Sequence, residues 1–146
     1  IGFASCSFDS TVKLWDLREK RSVASFTHDG NHFNRLCYLN DDESFAASCA
    51  DGKIKIFSIK KSLKVLFNLR GHHNGCIPIV TLNDSEHFIS GGEDKAIKVW
   101  SYKRGECVKT FESLHSLGIQ SICYLDDGNS FLTGSLDKMI NHWSIL

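Results

Sequence analysis

The 146-residue chain has no net charge, seventeen lysines and arginines being balanced by seventeen aspartates and glutamates. A balanced chain has no overall field to draw it to nucleic acid or to an anionic membrane, so neither is an expected partner. No apolar run approaches the roughly 18 residues of a membrane span, and the N-terminus lacks the basic-then-apolar pattern of a signal peptide. No stretch sustains a helical period, so no helix is expected. There is a single proline, Pro78. None of the six cysteines (Cys6, Cys37, Cys49, Cys76, Cys107, Cys123) forms a Cys-x-x-Cys pair, and most lie between apolar or β-branched neighbours. They are expected to be buried free thiols in a reducing compartment, which points to a soluble protein of the cytoplasm, with the nucleus left open. The first residue is Ile1, so the chain is expected to be a piece of a longer product.

What is present suffices for a core of about one domain: 42% of the residues are hydrophobic and 11% aromatic. The chain also repeats itself. FASCSFDSTVKLW from Phe3, FAASCADGKIKIF from Phe45, FISGGEDKAIKVW from Phe88 and FLTGSLDKMINHW from Phe131 follow one another at steps of 42, 43 and 43 residues. A second segment, NRLCYLNDDES from Asn34, IPIVTLNDSEH from Ile77 and QSICYLDDGNS from Gln120, keeps the same step. Cut at the phenylalanine, the units are 3–44, 45–87, 88–130 and 131–146. Each unit alternates short β-branched and aromatic stretches with turn residues, the pattern of strands joined by tight turns. In the unit from Cys76, strands are predicted over 76–82, 87–91, 96–101 and 107–111, separated by NDSE, GEDK and YKRGE. Four short antiparallel strands per unit, repeated at 42 to 43 residues, make a radial array of small sheets.

The Gly71–His72 pair, the run SGGEDKAIKVW at 90–100 and the Trp15–Asp16 pair resemble the WD-repeat family of β-propellers, and the likeness covers nearly the whole chain. Where the first unit has Asp16 after its aromatic, the later ones have Ser58, Ser101 and Ser144. The resemblance implies an all-β propeller fragment of about three and a half four-stranded antiparallel blades, an open arc. It also implies a reason for an Asp six residues before each aromatic. In the family, a turn Asp accepts from a His, the His meets a Ser or Thr hydroxyl, and that hydroxyl accepts from a Trp indole. Named after their aspartates, the sets are His72, Ser90, Asp94 and Trp100 in the third unit, and His115, Thr133, Asp137 and Trp143 in the fourth. The first unit shows Ser5, Asp9 and Trp15. In the second unit Phe57 replaces the Trp, Ala47 the hydroxyl, and the His position holds Asp29 with His28 beside it. Donor and relay are lost together there, as expected if half a buried polar network costs more than none. Asp51 is expected to survive as a turn-former, helped by Gly52.

Ser, His and Asp are also the parts of a hydrolase triad, but this set recurs in two units, its serine is engaged by an indole, and no G-x-S-x-G elbow is present. No catalysis, cofactor or small-molecule substrate is expected. Adjacent His72 and His73 point opposite ways on a strand and lack a third ligand at a usable spacing, so no metal is expected. Acidic clusters (Asp41–Glu43, Asp84 with Glu86, Asp126–Asp127) fall in the first-to-second strand loops and lack the D-x-D-x-D-G calcium pattern. Basic clusters (Arg18, Lys20, Arg21; Lys60, Lys61, Lys64; Lys103, Arg104) fall in or beside the third-to-fourth strand turns, so both sets are expected on one rim, for solubility, with a polyanion or lipid-headgroup edge as the alternative. Pro78, in a first strand, is expected on the edge that borders the central channel.

The resemblance makes the chain a platform for proteins or peptides. The alternative is the substrate-recognition or sensory propeller of a larger enzyme or signalling protein, such as a ubiquitin ligase receptor or a nucleotide-binding ATPase. It also places partner contacts on the top face, at the positions three and five residues past the His and just before the turn Asp. These are Phe8 in the first unit; His32, Asn34 and Ala50 in the second; Gly75, Ile77 and Glu93 in the third; and Gly118, Gln120 and Leu136 in the fourth.

Overall fold

A computed structural model describes residues 2–60, 62–112, 115–125 and 128–145, with Ile77 described by its backbone alone. Lys61, Asp126 and Asp127, three members of the charged clusters, lie outside the described residues. The described residues are all-β and hold fourteen strands: β1 (Gly2–Cys6), β2 (Thr11–Asp16), β3 (Arg21–Thr27), β4 (Phe33–Tyr38), β5 (Ser44–Cys49), β6 (Ile54–Ser58), β7 (Lys64–Leu69), β8 (Cys76–Thr81), β9 (His87–Gly92), β10 (Ile97–Ser101), β11 (Glu106–Phe111), β12 (Ile119–Tyr124), β13 (Ser130–Ser135) and β14 (Ile140–Ser144). They form four antiparallel meanders, β1-β2-β3, β4-β5-β6-β7, β8-β9-β10-β11 and β12-β13-β14, which do not close into a ring. Among the described residues there is no helix long and apolar enough to cross a membrane.

Side chains alternate across a strand, so a strand in a middle sheet buries both faces, one against each neighbouring sheet. All six residues of β5 are buried. Its Phe45, Ala47 and Cys49 join Val12, Phe33 and Phe57 between the first two sheets. Ala46 instead packs with Ile54, Ile56, Phe88 and Trp100 between the second and third. Ile89, Ile97 and Val99 meet Ile119 and Phe131 between the third and fourth. The innermost strands β4, β8 and β12 lie side by side.

The turn before each third strand is built the same way four times. The amides of Ser7, Cys49, Gly92 and Ser135 donate to the carbonyls of Thr11, Lys53, Ala96 and Met139 at 2.9–3.2 Å. Ser10, Gly52, Lys95 and Lys138, each just after the Asp, take positive φ of 69°, 80°, 69° and 70°. This is a three-residue hairpin loop closed by a left-handed residue. The Asp side chain accepts the amide two residues on, from Thr11, Lys53, Ala96 and Met139, at 2.9–3.2 Å. One reason for the repeated Asp is therefore local, since a short carboxylate folds back on its own turn.

Two further irregularities recur. The third-to-fourth strand pairing slips just before the aromatic, between Leu14 and Trp15, Ile56 and Phe57, and Val99 and Trp100. The residue left over on the outer strand, Val23, Leu66 or Val108, is 47–48% exposed. The first-to-second strand pairing slips between Phe33 and Arg35, Cys76 and Ile79, and Ile119 and Ser121. Pro78 sits in the second of these bulges, on the edge strand β8, where a missing N–H breaks no ladder bond.

All six cysteines are free, but they are not all buried: Cys107 and Cys123 are exposed, and only Cys49 and Cys76 are fully enclosed. Cys107 lies on an outer strand with one solvated face, and Cys123 on the inner strand of the last sheet, which no further sheet covers among the described residues. The acidic and basic loops do share a rim, where Lys60 pairs with Glu43 and Arg104 lies 3.4 Å from Glu86.

Candidate functional site

The third sheet carries a complete chain of side-chain hydrogen bonds. His72 Nδ1 lies 2.9 Å from Asp94 Oδ1, its Nε2 lies 2.7 Å from Ser90 Oγ, and Trp100 Nε1 donates to the same hydroxyl at 2.8 Å. The carboxylate can only accept, so it holds the ring proton on Nδ1. In the neutral ring Nε2 then accepts from the Ser90 hydroxyl, which accepts in turn from the indole. The fourth sheet repeats the chain with a threonine: His115 to Asp137 at 2.9 Å, His115 to Thr133 at 2.7 Å, and Trp143 to Thr133 at 2.8 Å. In the first sheet Trp15 donates to Ser5 Oγ at 2.9 Å, while Asp9 holds its turn through Thr11.

Each His ties the loop before the first strand to the turn after the second. The loop is also fastened by the backbone, the amides of His73 and Ser116 donating to Asp94 and Asp137 at 3.0 and 2.9 Å. Burial pushes the Asp137 carboxyl up, but the Met139 amide, the His115 ring and the Ser116 amide outweigh it and hold it down at about 2. Asp94 is likewise lowered, its burial outweighed by the His72 ring and the His73 and Ala96 amides.

In the second sheet the relay is replaced by hydrocarbon. Phe57 and Ala47 are fully buried, and Phe57 packs against Phe26, Phe33 and Phe45 with ring centroids 5.1, 6.2 and 5.1 Å away. Phe26 comes from β3 of the neighbouring sheet, a contribution that the repeat alignment does not reveal. The residue that turns toward Asp51 is His28 rather than Asp29, which is exposed. His28 Nε2 stands 3.6 Å from Asp51 Oδ2, too far for a hydrogen bond. Burial pushes the thiols of Cys37 and Cys49 up to about 12.

The loop residues picked out in the sequence come together in pairs. The amides of Ala50, Glu93 and Leu136, each just before a turn Asp, donate to the carbonyls of His32, Gly75 and Gly118 at 3.0, 2.8 and 3.2 Å. Asn34 and Gln120 are the leftover residues of the inner-strand bulges, a device that re-aims a side chain. The sets also join across sheets. The Phe8 ring stacks on His32 at 4.2 Å, Asn34 Nδ2 donates to the Cys76 carbonyl at 2.8 Å, and a Cβ at Gly118 would come within 3.0 Å of Glu93 Cα. Phe8 is 78% exposed and Leu136 60%. The side chain of Ile77, the third apolar member, lies outside what is described.

The chain matches the family described as WD domain, G-beta repeat over residues 2–16, 20–58, 63–101 and 105–144. It is 29% identical over 73 residues to WD repeat-containing protein JIP5 of Coprinopsis cinerea, a match over 49% of this chain and 18% of that protein. To the guanine nucleotide-binding protein subunit beta of Nicotiana plumbaginifolia it is 30% identical over 81 residues, 54% of this chain and 21% of the relative. To WD repeat-containing protein 70 of Xenopus tropicalis it is 34% identical over 77 residues, 49% of this chain and 12% of the relative. The matches thus span at most about a fifth of these relatives' length. With four successive copies of the repeat along it, the chain belongs to the WD40 repeat family.

Proposed function

We propose that this chain is a non-catalytic scaffold in the cytoplasm, whose loop face binds a protein or peptide ligand anchored on Phe8, Ile77 and Leu136. WD40 domains are generally protein-interaction platforms and typically non-catalytic. The observation that carries the finer reading is the exposure of two large apolar side chains, Phe8 at 78% and Leu136 at 60%, on turns closed by backbone and Asp bonds, the Leu136 turn also by the His115–Asp137 bond. Exposed apolar groups rimmed by polar ones mark contact surfaces, and binding energy concentrates in a few such anchors. In this reading Glu93 and Gln120 supply hydrogen bonds to the ligand. Asn34 spends its amide N–H on Cys76, so it offers a ligand chiefly its oxygen.

Against catalysis stands the burial of the hydroxyls: Ser90 is 0% exposed and Thr133 1%, each already bonded to both an imidazole and an indole. A nucleophile in that position meets no substrate.

The test is Phe8→Ala with Leu136→Ala in the intact protein, with quantitative comparison of the co-purifying proteins. The reading expects the main partner to fall about tenfold or more, the loss of two anchors of over 1 kcal/mol each, with the melting temperature nearly unchanged. Undiminished recovery in that variant, with loss on charge reversal of Lys60 and Lys61, would move the site to the opposite rim.

A further inference from the structure

The second unit, the one that has lost its relay, gathers a different set of groups in the same place. His28, from the loop before β4, Cys49, the last residue of β5, and Asp51, in the turn that follows, bring their ligand atoms within 4.8 Å of one another. Residues 21 and 23 positions apart in the chain are joined here by folding, which is why adjacent-histidine spacing gave no hint of them. Cys49 occupies the position held by Ser7, Gly92 and Ser135 in the other units, so this unit alone puts a thiol beside its His and Asp.

Two details favour a ligand between these groups over a hydrogen-bonded pair. The ring approaches Asp51 with Nε2, whereas His72 and His115 use Nδ1. That Nε2 is buried and has no hydrogen-bond partner among the described residues, and a buried lone acceptor or donor is costly. Asp51 keeps Oδ1 on the Lys53 amide and turns Oδ2 toward the ring, where that oxygen now meets the Lys53 ammonium, which a cation would have to displace.

We propose that His28 Nε2, Cys49 Sγ and Asp51 Oδ2 form a binding site for a zinc-class divalent cation. Imidazole, thiolate and carboxylate together suit zinc, which three protein ligands hold with a fourth position free. Around one zinc such atoms stand roughly 3.3–3.8 Å apart. His28 and Asp51, at 3.6 Å, already have that separation, and the remaining approach is about an ångström or less. The cation enters past His28 and Asp51, whose side chains are 12% and 15% exposed, while Cys49 forms the closed floor. On binding, the Cys49 S–H proton leaves to solvent and the sulfur becomes a metal-bound thiolate. Lys53, whose ammonium touches Asp51 Oδ2, swings outward; its side chain is already 30% exposed. Lys55, over the Phe26 ring at 5.9 Å, stays as a nearby positive charge that limits the affinity.

The test uses the intact protein with Cys107→Ser and Cys123→Ser, which removes two exposed thiols, titrated with Co²⁺ alone and then with Zn²⁺. The site predicts one equivalent of cobalt with a thiolate-to-metal charge-transfer band, displaced by zinc. Cys49→Ser should abolish the band and weaken zinc more than about a hundredfold, beyond the loss usual for an outer-shell partner. Serine is a fair replacement because Ser7 and Ser135 stand at the same position in folded units, and an unchanged melting curve without metal verifies the fold. His28→Ala should weaken zinc comparably. No stoichiometric binding, or a band and affinity that survive Cys49→Ser or His28→Ala, would overturn the site.

Discussion

A single histidine in this chain does the work of a cross-link. His72 is 7% exposed and bonded at both ring nitrogens, so its removal leaves Asp94 and Ser90 short of partners. His72→Ala should therefore cost about 1–3 kcal/mol in chemical denaturation. Phe57→Trp should give nothing back in the second unit, because Ala47 has no hydroxyl to receive the indole and three phenylalanine rings already fill the space; equal responses at the two sites would contradict the assignment. The carboxylates set an acid limit. Asp137 is held near 2 when folded, below the ordinary value of 3.8. Its contribution is complete above about 4 and is lost as the pH falls through 2, since protonation then favours the unfolded chain. Asp137→Asn should flatten that part of the stability profile, and an unaltered profile would show that the carboxylate contributes no such linkage. In the sequence these residues took their roles from the resemblance to the WD-repeat family, whose polar chain sets residue types at recurring steps. His28 was not legible there, because which of two neighbouring residues turns inward depends on how the loop reaches the next sheet.

At the scale of the hairpin, four turns share one backbone but not one residue at the left-handed position. Gly52 has φ of 80°, and a Cβ there would lie 2.5 Å from the Asn74 carbonyl oxygen and 2.6 Å from that of His72. Gly52→Ala should destabilise by at least about 2 kcal/mol, from strained backbone plus a clash with main chain that cannot step aside. Lys95, with φ of 69°, carries the strain without the clash, so Lys95→Gly should be neutral or stabilising by up to about 1 kcal/mol. Thermal or denaturant melts of the two variants decide this, and matching losses would refute the distinction. Strand positions could be read from the alternation of β-branched residues and turns, with small errors at the ends: β10 begins at Ile97 and β11 at Glu106, one residue away from expectation in each case. The bulges at Asn34 and Gln120 left no mark in composition, since an unpaired strand residue is defined by its partner strand.

For the whole molecule, the repeat step disclosed the sheets and their order, while contacts between sheets had to await the structure. Phe26 on Phe57, Phe8 on His32 and Asn34 on Cys76 all join residues of different sheets or of their loops, which no comparison of one unit with another can reveal. The two three-stranded sheets leave β1 and β14 as unpaired edges, with Phe3 45%, Met139 58% and Ile140 74% exposed nearby. Open edges beside apolar surface recruit other strands. The 146-residue chain alone should accordingly self-associate in sedimentation velocity, and a monodisperse monomer with cooperative unfolding would argue against the open arc. The central claim, that the loop face around Phe8 and Leu136 is where partners dock, is tested most directly by photo-crosslinking. A photoreactive residue is placed singly at Phe8, Leu136, Lys60 and Arg104 of the intact protein. The account predicts crosslinks to a protein partner from Phe8 and Leu136 and none from Lys60 and Arg104; crosslinks confined to Lys60 and Arg104 would contradict it.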